Sequence, residues 1–265
     1  MHRIGCCLNM VARTPDGLGL ENIPTLAERK FDYVEVSLSH LMALSEPERQ
    51  KSVTTIKNSP LPCEACNNFF PAKVTLTGPS ADHRAALEYA SNALSLVGSL
   101  GVRVIVFGSS KARNVPNGFS RERAWDQLVS FARQLGKIAE ENGITITMEH
   151  LNRGESNILT SFSENIRFVC EVGHPNIRAL ADLYHFSLEK EPIENLYQGE
   201  GLLAHAHIAH LTGRSWPVAA TQDLKAFFNV LNDIGYQGRI SVESYSENVG
   251  ADSKEALRVL KTLMS

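Results

Sequence analysis

Residues 143–150 read GITITMEH, and this stretch shows the unit from which the chain is built. Gly143 follows a helical pattern over residues 121–141, at the position where a left-handed residue ends a helix. The apolar and β-branched residues after it predict a buried strand over residues 144–150. The sequence here therefore predicts a helix that ends at a glycine, followed by a strand that carries Glu149 and His150 at its carboxyl end.

The same unit repeats along the chain. Strands are predicted over residues 3–9, 33–38, 62–69, 102–108, 144–150, 177–185, 203–209 and 239–244. Helices are predicted over residues 82–100, 121–141, 163–172, 223–234 and 253–264. Strands that alternate with helices indicate a parallel sheet, and eight units in 265 residues favour a closed (β/α)₈ TIM barrel of the α/β class. Because the sequence shows no linker, we expect residues 1–265 to form a single domain.

Composition excludes several classes of protein. The chain is 43% hydrophobic and 21% charged, as expected for a globular protein, and its net charge of −3 gives no basic field for nucleic acid. No stretch approaches the roughly 18 apolar residues that span a bilayer, and the amino terminus lacks a secretory signal, so we expect a cytoplasmic protein without membrane contact. Five sparse cysteines indicate reduced thiols rather than disulfides.

Metal-binding residue types stand near the carboxyl ends of four consecutive predicted strands. They are Glu149, Asp182, His207 and Glu243, separated by 33, 25 and 36 residues. Each separation is close to one strand-and-helix unit, so a barrel brings the four side chains toward its axis. Three oxygen ligands and one nitrogen favour one divalent ion, either manganese, magnesium or cobalt, with zinc left open.

Several motifs in the chain carry a resemblance to a known family. They are MEHLNRGESN at 148–157, ADLYH at 181–185, HAHI at 205–208 and SVE at 241–243. With LTGP at 76–79 and VFGSS at 106–110, they extend the resemblance over most of the chain. The sequence resembles the xylose-isomerase-like TIM barrels, and within them the sugar (phosphate) isomerase/epimerase group that includes the ketose 3-epimerases.

This resemblance implies a metal-dependent isomerase or epimerase of a ketose or sugar phosphate. It makes the four residues above the metal ligands, with Glu149 and Glu243 also acting as the acid/base pair on a metal-stabilised enediolate. Glu155, His185 and Arg214 match positions that contact the sugar. The expected partner is therefore a small sugar, and assembly into a homo-oligomer is left open.

Three other functions compete with this interpretation. A metal-dependent lyase or dehydratase acting on a hydroxyketone acid would use the same carboxylates, with Lys111, Arg113 and Arg214 as rim cations for the substrate carboxylate. The same cations would suit a sugar phosphate. A non-catalytic sugar-binding barrel is favoured if no cation binds. Apurinic endonucleases of the endonuclease-four type share the barrel, but they need a histidine-rich three-metal site and a basic surface, which this sequence does not offer.

Overall fold

The computed structural model describes residues 2–264. Its strands, in chain order, are β1 (Arg3–Cys7), β2 (Tyr33–Ser37), β3 (Cys63–Asn67), β4 (Val104–Phe107), β5 (Thr145–Glu149), β6 (Ile177–Asp182), β7 (Leu203–Ile208) and β8 (Arg239–Val242). Each strand pairs with the next, and β1 pairs in parallel with β8, which closes the sheet into a barrel. The predicted TIM barrel is therefore confirmed.

Helices lie between the strands and after the last one. They are α1 (Ile23–Glu28), α2 (Leu38–Ala43), α3 (Glu46–Lys57), α4 (His83–Gly98), α5 (Ser110–Arg113), α6 (Arg121–Glu141), α7 (Phe162–Val172), α8 (Leu183–Glu189), α9 (Gln222–Asp233) and α10 (Val249–Leu263). Short 3₁₀ segments are present at Leu8–Met10, Leu20–Asn22, Ile193–Gly199 and Thr212–Arg214. The five predicted helices correspond to α4, α6, α7, α9 and α10.

The predicted strands extend past the observed ones, and the difference matters most at the end of β6. Residues 177–185 were expected to be a strand, but β6 ends at Asp182 and His185 lies in α8. The reason is local, because the Asp182 carboxylate accepts a hydrogen bond from the Tyr184 backbone N–H at 2.7 Å and caps the new helix. Asp182 therefore ends a strand and begins a helix at the same time.

Capping side chains also begin the longer helices. Ser120 Oγ accepts from the backbone N–H of Arg123 at the start of α6, and Asp82 accepts from that of Ala85 at the start of α4. Gly173 ends α7 with a φ of 66°, a left-handed conformation in which a side chain would be strained. These signals fix the start of α4 and α6 and the end of α7, and so the points at which the chain turns back toward the barrel.

The apolar core fills the layer between the strands and the helices. Ile105, Ile146 and Ile240 from the barrel and Leu128, Phe168 and Phe227 from the helices are among its buried members. Within residues 2–264, no helix is long and apolar enough to cross a membrane. All five cysteines carry free thiols, and all but Cys170 are buried.

Candidate metal centre

Four side chains converge at the mouth of the barrel. Glu149 and Asp182 end β5 and β6, His207 lies in β7, and Glu243 directly follows β8. One potential ligand atom from each lies within 4.8 Å of the others, and all four residues are buried. His207 Nδ1 lies 3.3 Å from both Glu149 Oε1 and Glu243 Oε2. The four residues that the sequence grouped by spacing are therefore neighbours in space.

The donor atoms in this cluster fit a cation. Glu149 Oε1, Asp182 Oδ2 and His207 Nδ1 are buried and form no hydrogen bond with any residue that the structure describes. Buried carboxylate oxygens without donors are costly, and a divalent ion offsets this cost directly. Three carboxylates and one imidazole form a ligand set suited to such an ion. The residues present are therefore able to hold the metal that the family pattern implies.

Burial and neighbouring charges set the ionisation of the three carboxylates. Burial raises the pKa of Glu149 above its usual value and raises the pKa of Asp182 to about 6, although Arg214 opposes the second shift. Burial also acts on Glu243, but Arg214 and His207 outweigh it and lower the pKa of Glu243 to about 2. Without a cation, the protein interior therefore disfavours charge on two of the three carboxylates.

Arg214 lies beside these carboxylates as well as in the cleft above them. Its guanidinium forms an ion pair with Glu243 and lies 3.6 Å from Asp182 Oδ2. The same group lies over the Tyr184 ring, 4.6 Å from the centroid. Contact with both a carboxylate and an aromatic face fixes the guanidinium at the border between the cluster and the cleft.

A cleft of about 600 Å³ opens above the cluster. Glu149, Glu243, Glu155, His185 and Arg214 all line it, so every predicted substrate-contacting residue is brought to one space. Residues 71–72 and 109–111, which follow β3 and β4, also line it. Lys111 is among these rim residues, while the carboxylates of Glu149 and Glu243 lie at the floor.

His185 presents one defined nitrogen to this cleft. Its Nδ1 accepts a hydrogen bond from the Asn152 backbone N–H at 3.2 Å, which leaves the proton on Nε2. That Nε2 lies 3.6 Å from Asp182 Oδ2. Glu155 is exposed at the rim and accepts from the Asn152 side-chain amide at 2.8 Å. Asn152 thus orients two of the three predicted sugar-contacting residues, His185 and Glu155.

The architecture and the cluster agree with a comparison against protein families. The model of the xylose isomerase-like TIM barrel matches residues 23–263. The chain belongs to the xylose isomerase-like TIM barrel family. The chain is also similar in sequence to several proteins named D-psicose 3-epimerase. The one from Agrobacterium fabrum is 26% identical over 88% of this chain and 82% of its own length.

The second relative, from Ruminiclostridium cellulolyticum, is 29% identical over 46% of this chain and 41% of its own length. The matched segment thus spans less than half of that relative. A crystal structure of D-psicose 3-epimerase with D-tagatose, from Clostridium cellulolyticum H10, has a TM-score of 0.83 with 99% of both chains covered. At 19% identity, this similarity shows a shared fold.

Arg113 of this family member is not the rim cation that the sequence suggested. It is fully buried, and its guanidinium donates to the Phe107 carbonyl at 2.9 Å and the Glu149 carbonyl at 2.6 Å. The short helix α5 turns the side chain inward, so Arg113 joins the ends of β4 and β5. A substrate carboxylate or phosphate therefore has Lys111 and Arg214, but not Arg113, at the cleft.

Glu35 is a further buried residue that the sequence did not single out. It lies in β2 and is hydrogen-bonded to His205 and His207, whose charges hold its pKa well below the usual range despite the opposing effect of burial. The available signal is one acid in YVEVS, a strand that is otherwise free of charge. An acid at such a position needs a partner inside the barrel.

Proposed function

We propose that this chain is a divalent-metal-dependent isomerase or epimerase of a sugar, with proton transfer next to a ketone. One observation carries the proposal: four potential ligand atoms from Glu149, Asp182, His207 and Glu243 lie within 4.8 Å of one another at the floor of a cleft. This floor combines a cation site with carboxylates that can move protons. The family relatives named as 3-epimerases support the same assignment.

The four clustered residues would hold the ion. When bound, a divalent cation stabilises the negative charge that develops on the oxygens of a ketose when a neighbouring C–H proton is removed. Asp182 and His207 have no other role in the proposal. Glu149 and Glu243 would serve both as ligands and as proton-transfer groups.

Glu149 and Glu243 are suited to act from two sides of a substrate. They extend from β5 and β8, their carboxylates flank His207 Nδ1 at equal distances of 3.3 Å, and both line the cleft. In the proposed reaction, one glutamate removes the proton from one face of the carbon. The other supplies a proton to the opposite face, which inverts the centre.

Residues of the upper cleft would orient the rest of the sugar. Arg214 offers a guanidinium fork, His185 offers Nε2–H, and Glu155 offers a carboxylate that accepts hydroxyl protons. A ketohexose is the substrate class that we propose first. Because Lys111 also lines the cleft, a ketose phosphate is included in the same proposal.

Metal analysis followed by exchange in heavy water tests this function. Metal-stripped protein is reloaded with manganese, magnesium, cobalt or zinc and incubated with ketohexoses, ketopentoses and their phosphates in heavy water. We expect metal-dependent deuterium incorporation at C3 for an epimerase. Incorporation at C1 or C2 identifies an aldose–ketose isomerase, and loss of a hydroxyl group identifies the lyase. Sugar binding with no exchange on any compound contradicts enzymatic function and favours a binding protein.

A further inference from the structure

A second group of polar side chains lies inside the barrel, directly beneath the proposed metal centre. We call it the interior polar cluster, and it consists of Tyr33, Glu35, His205, His207 and Ser241. Every member is fully buried. TIM-barrel interiors are usually filled by branched apolar side chains, so a polar layer at this level requires an explanation. The proposed reaction uses His207 alone among its members.

Three side chains of this cluster direct a donor at Glu35. His207 Nε2 lies 3.0 Å from Glu35 Oε1, and His205 Nε2 lies 2.9 Å from Oε2. Ser241 Oγ donates to Oε2 at 2.7 Å and is itself 2.8 Å from the Tyr33 hydroxyl. Because the serine proton is directed to Glu35, Tyr33 is the donor in that last pair. A buried carboxylate is compensated when it accepts several such bonds.

His207 is the residue that joins this cluster to the metal centre. Its Nε2 meets Glu35, and its Nδ1 lies 3.3 Å from Glu149 Oε1 and Glu243 Oε2. A neutral imidazole carries one proton, and only the other nitrogen can bind a metal. A proton held on Nε2 by Glu35 leaves the Nδ1 lone pair directed at the centre of the ligand cluster.

We propose that Glu35 is a positioning residue for the metal centre, which fixes His207 with its proton on Nε2 and its Nδ1 lone pair toward the ion. This proposal rests on the metal site of the proposed function. A carboxylate that hydrogen-bonds a metal-binding histidine in this way fixes the imidazole ring and makes the ring more basic as a ligand. Loss of such a carboxylate costs about 10- to 100-fold in metal affinity.

The surrounding barrel leaves little freedom for this arrangement to change. Tyr33 lies against Gly5 of β1, and a methyl group on Gly5 would come within 2.7 Å of Tyr33 Cδ2. The glycine therefore makes room for the tyrosine ring beneath the histidines. Hydrogen bonds from β7 and β8 hold both oxygens of Glu35, so a turn away from His207 would break them.

Cys7 raises a competing possibility, which is a second ion beneath the first. Its Sγ lies 3.9 Å from His207 Nε2, and Cys7, Glu35 and His207 are close enough to share an ion. In that arrangement Nε2 would be a ligand and could not donate to Glu35. The number of ions bound per chain therefore distinguishes the two arrangements.

Metal affinity of matched variants tests the proposal. Glu35→Gln keeps the side-chain shape but replaces one acceptor oxygen with an NH₂ group. Ser241→Ala is the control, because it removes one donor to Glu35 and leaves the backbone pairing of Ser241 with His207 unchanged. For each protein, the Mn²⁺ stoichiometry and dissociation constant are measured by chelator competition, together with the Tm of the metal-free form.

We expect one ion per wild-type chain, a dissociation constant about 10- to 100-fold weaker in Glu35→Gln, and a change below about threefold in Ser241→Ala. If Glu35→Gln binds Mn²⁺ as tightly as wild type, the positioning role of Glu35 is overturned and the proposed function is not. Equal loss in both variants also overturns the positioning role, because the cluster would then act only through packing. A wild-type protein that binds no ion overturns the proposed function together with this inference, and two ions per chain assign Nε2 to a second metal.

A direct measurement covers the case in which Glu35→Gln does not fold. In wild-type protein loaded with diamagnetic Zn²⁺, ¹⁵N-resolved NMR of the histidine rings reports which nitrogen of His207 carries the proton. We expect a protonated Nε2 with a strongly deshielded proton. An unprotonated Nε2 in the metal-loaded protein overturns the proposal without any variant.

Discussion

Gly108 is the position where one added methyl group tests the proposed site most sharply. The residue directly follows β4, and it faces the side chain of Glu149 on β5. A Cβ atom at this position would lie 3.0 Å from the Glu149 carboxyl carbon and far inside the contact distance of Oε2. Gly108 has no positive φ, so an alanine is allowed by the backbone and the conflict is confined to the carboxylate.

The size of the effect follows from the distance that the carboxylate must move. The Glu149 backbone is held by Arg113, which donates to its carbonyl oxygen at 2.6 Å, so the displacement falls on the side chain. Relief of the overlap requires a shift of about 1 Å, and a misplacement of this size costs about 10²-fold in rate. Gly108→Ala should therefore lower kcat/KM by about 10²-fold and also weaken metal binding, because Glu149 is a proposed ligand.

The assay is steady-state kinetics on the substrate found by deuterium exchange. Metal content is measured in parallel. Gly98→Ala is the matched control, because its Cβ would meet only ordinary contacts, 3.6 Å and longer, in α4 far from the cleft. We expect the control to keep full activity and to gain about 0.4–1 kcal/mol of stability. Wild-type kcat/KM and metal affinity in Gly108→Ala would refute the assignment of Glu149 to the reacting centre.

Three further predictions concern the same site. Chelation should abolish activity. Relative to protein with metal at 100 times its dissociation constant, it should also remove about 2.7 kcal/mol of stability, which lowers Tm by roughly 5–10 °C. An unchanged Tm after verified metal removal contradicts this prediction. Arg214→Ala should raise KM or lower kcat/KM while the metal content stays full, because removal of a positive side chain does not weaken metal binding. A variant that loses its metal contradicts the assignment of Arg214 to substrate binding. Metal-loaded Glu149→Gln and Glu243→Gln should each lose about 10²-fold or more in turnover, and normal epimerisation by either excludes the two-glutamate mechanism.

The barrel and the rim of the site were predictable because both follow from local periodicity. Each predicted strand contains the strand observed, and the excess residues lie at the ends, where apolar sequence continues into the loop. Helix α3 was missed because its buried face consists of only Ser52, Val53 and Ile56, which is too narrow a stripe to produce a helical pattern. Residues that end neighbouring strands meet at one rim in any parallel barrel, which is why the metal cluster could be found from spacing.

The roles of Glu35 and Arg113 were not predictable, for two different reasons. The Glu35 carboxylate is compensated by His205 and His207, about 170 residues away along the chain. Arg113 comes shortly after the polar residues 109–111, so the sequence suggested an exposed cation at the rim. Its side chain points inward because two backbone carbonyls accept hydrogen bonds from the guanidinium. Every residue has a backbone carbonyl, so the sequence cannot indicate which ones accept.

The charges inside the upper barrel give a reason for a divalent ion that does not depend on ligand geometry. Within residues 2–264, the buried ionisable acids and guanidinium groups of this region are Glu35, Glu149, Asp182 and Glu243 together with Arg113 and Arg214. Without a metal, Glu35 outweighs burial and raises the pKa of His207 well above its usual value, but a histidine that binds a metal is neutral. With His205 and His207 neutral, these groups carry four negative and two positive charges. Uncompensated charge is expensive in a buried site, so the interior is most stable when a cation of charge +2 completes the balance.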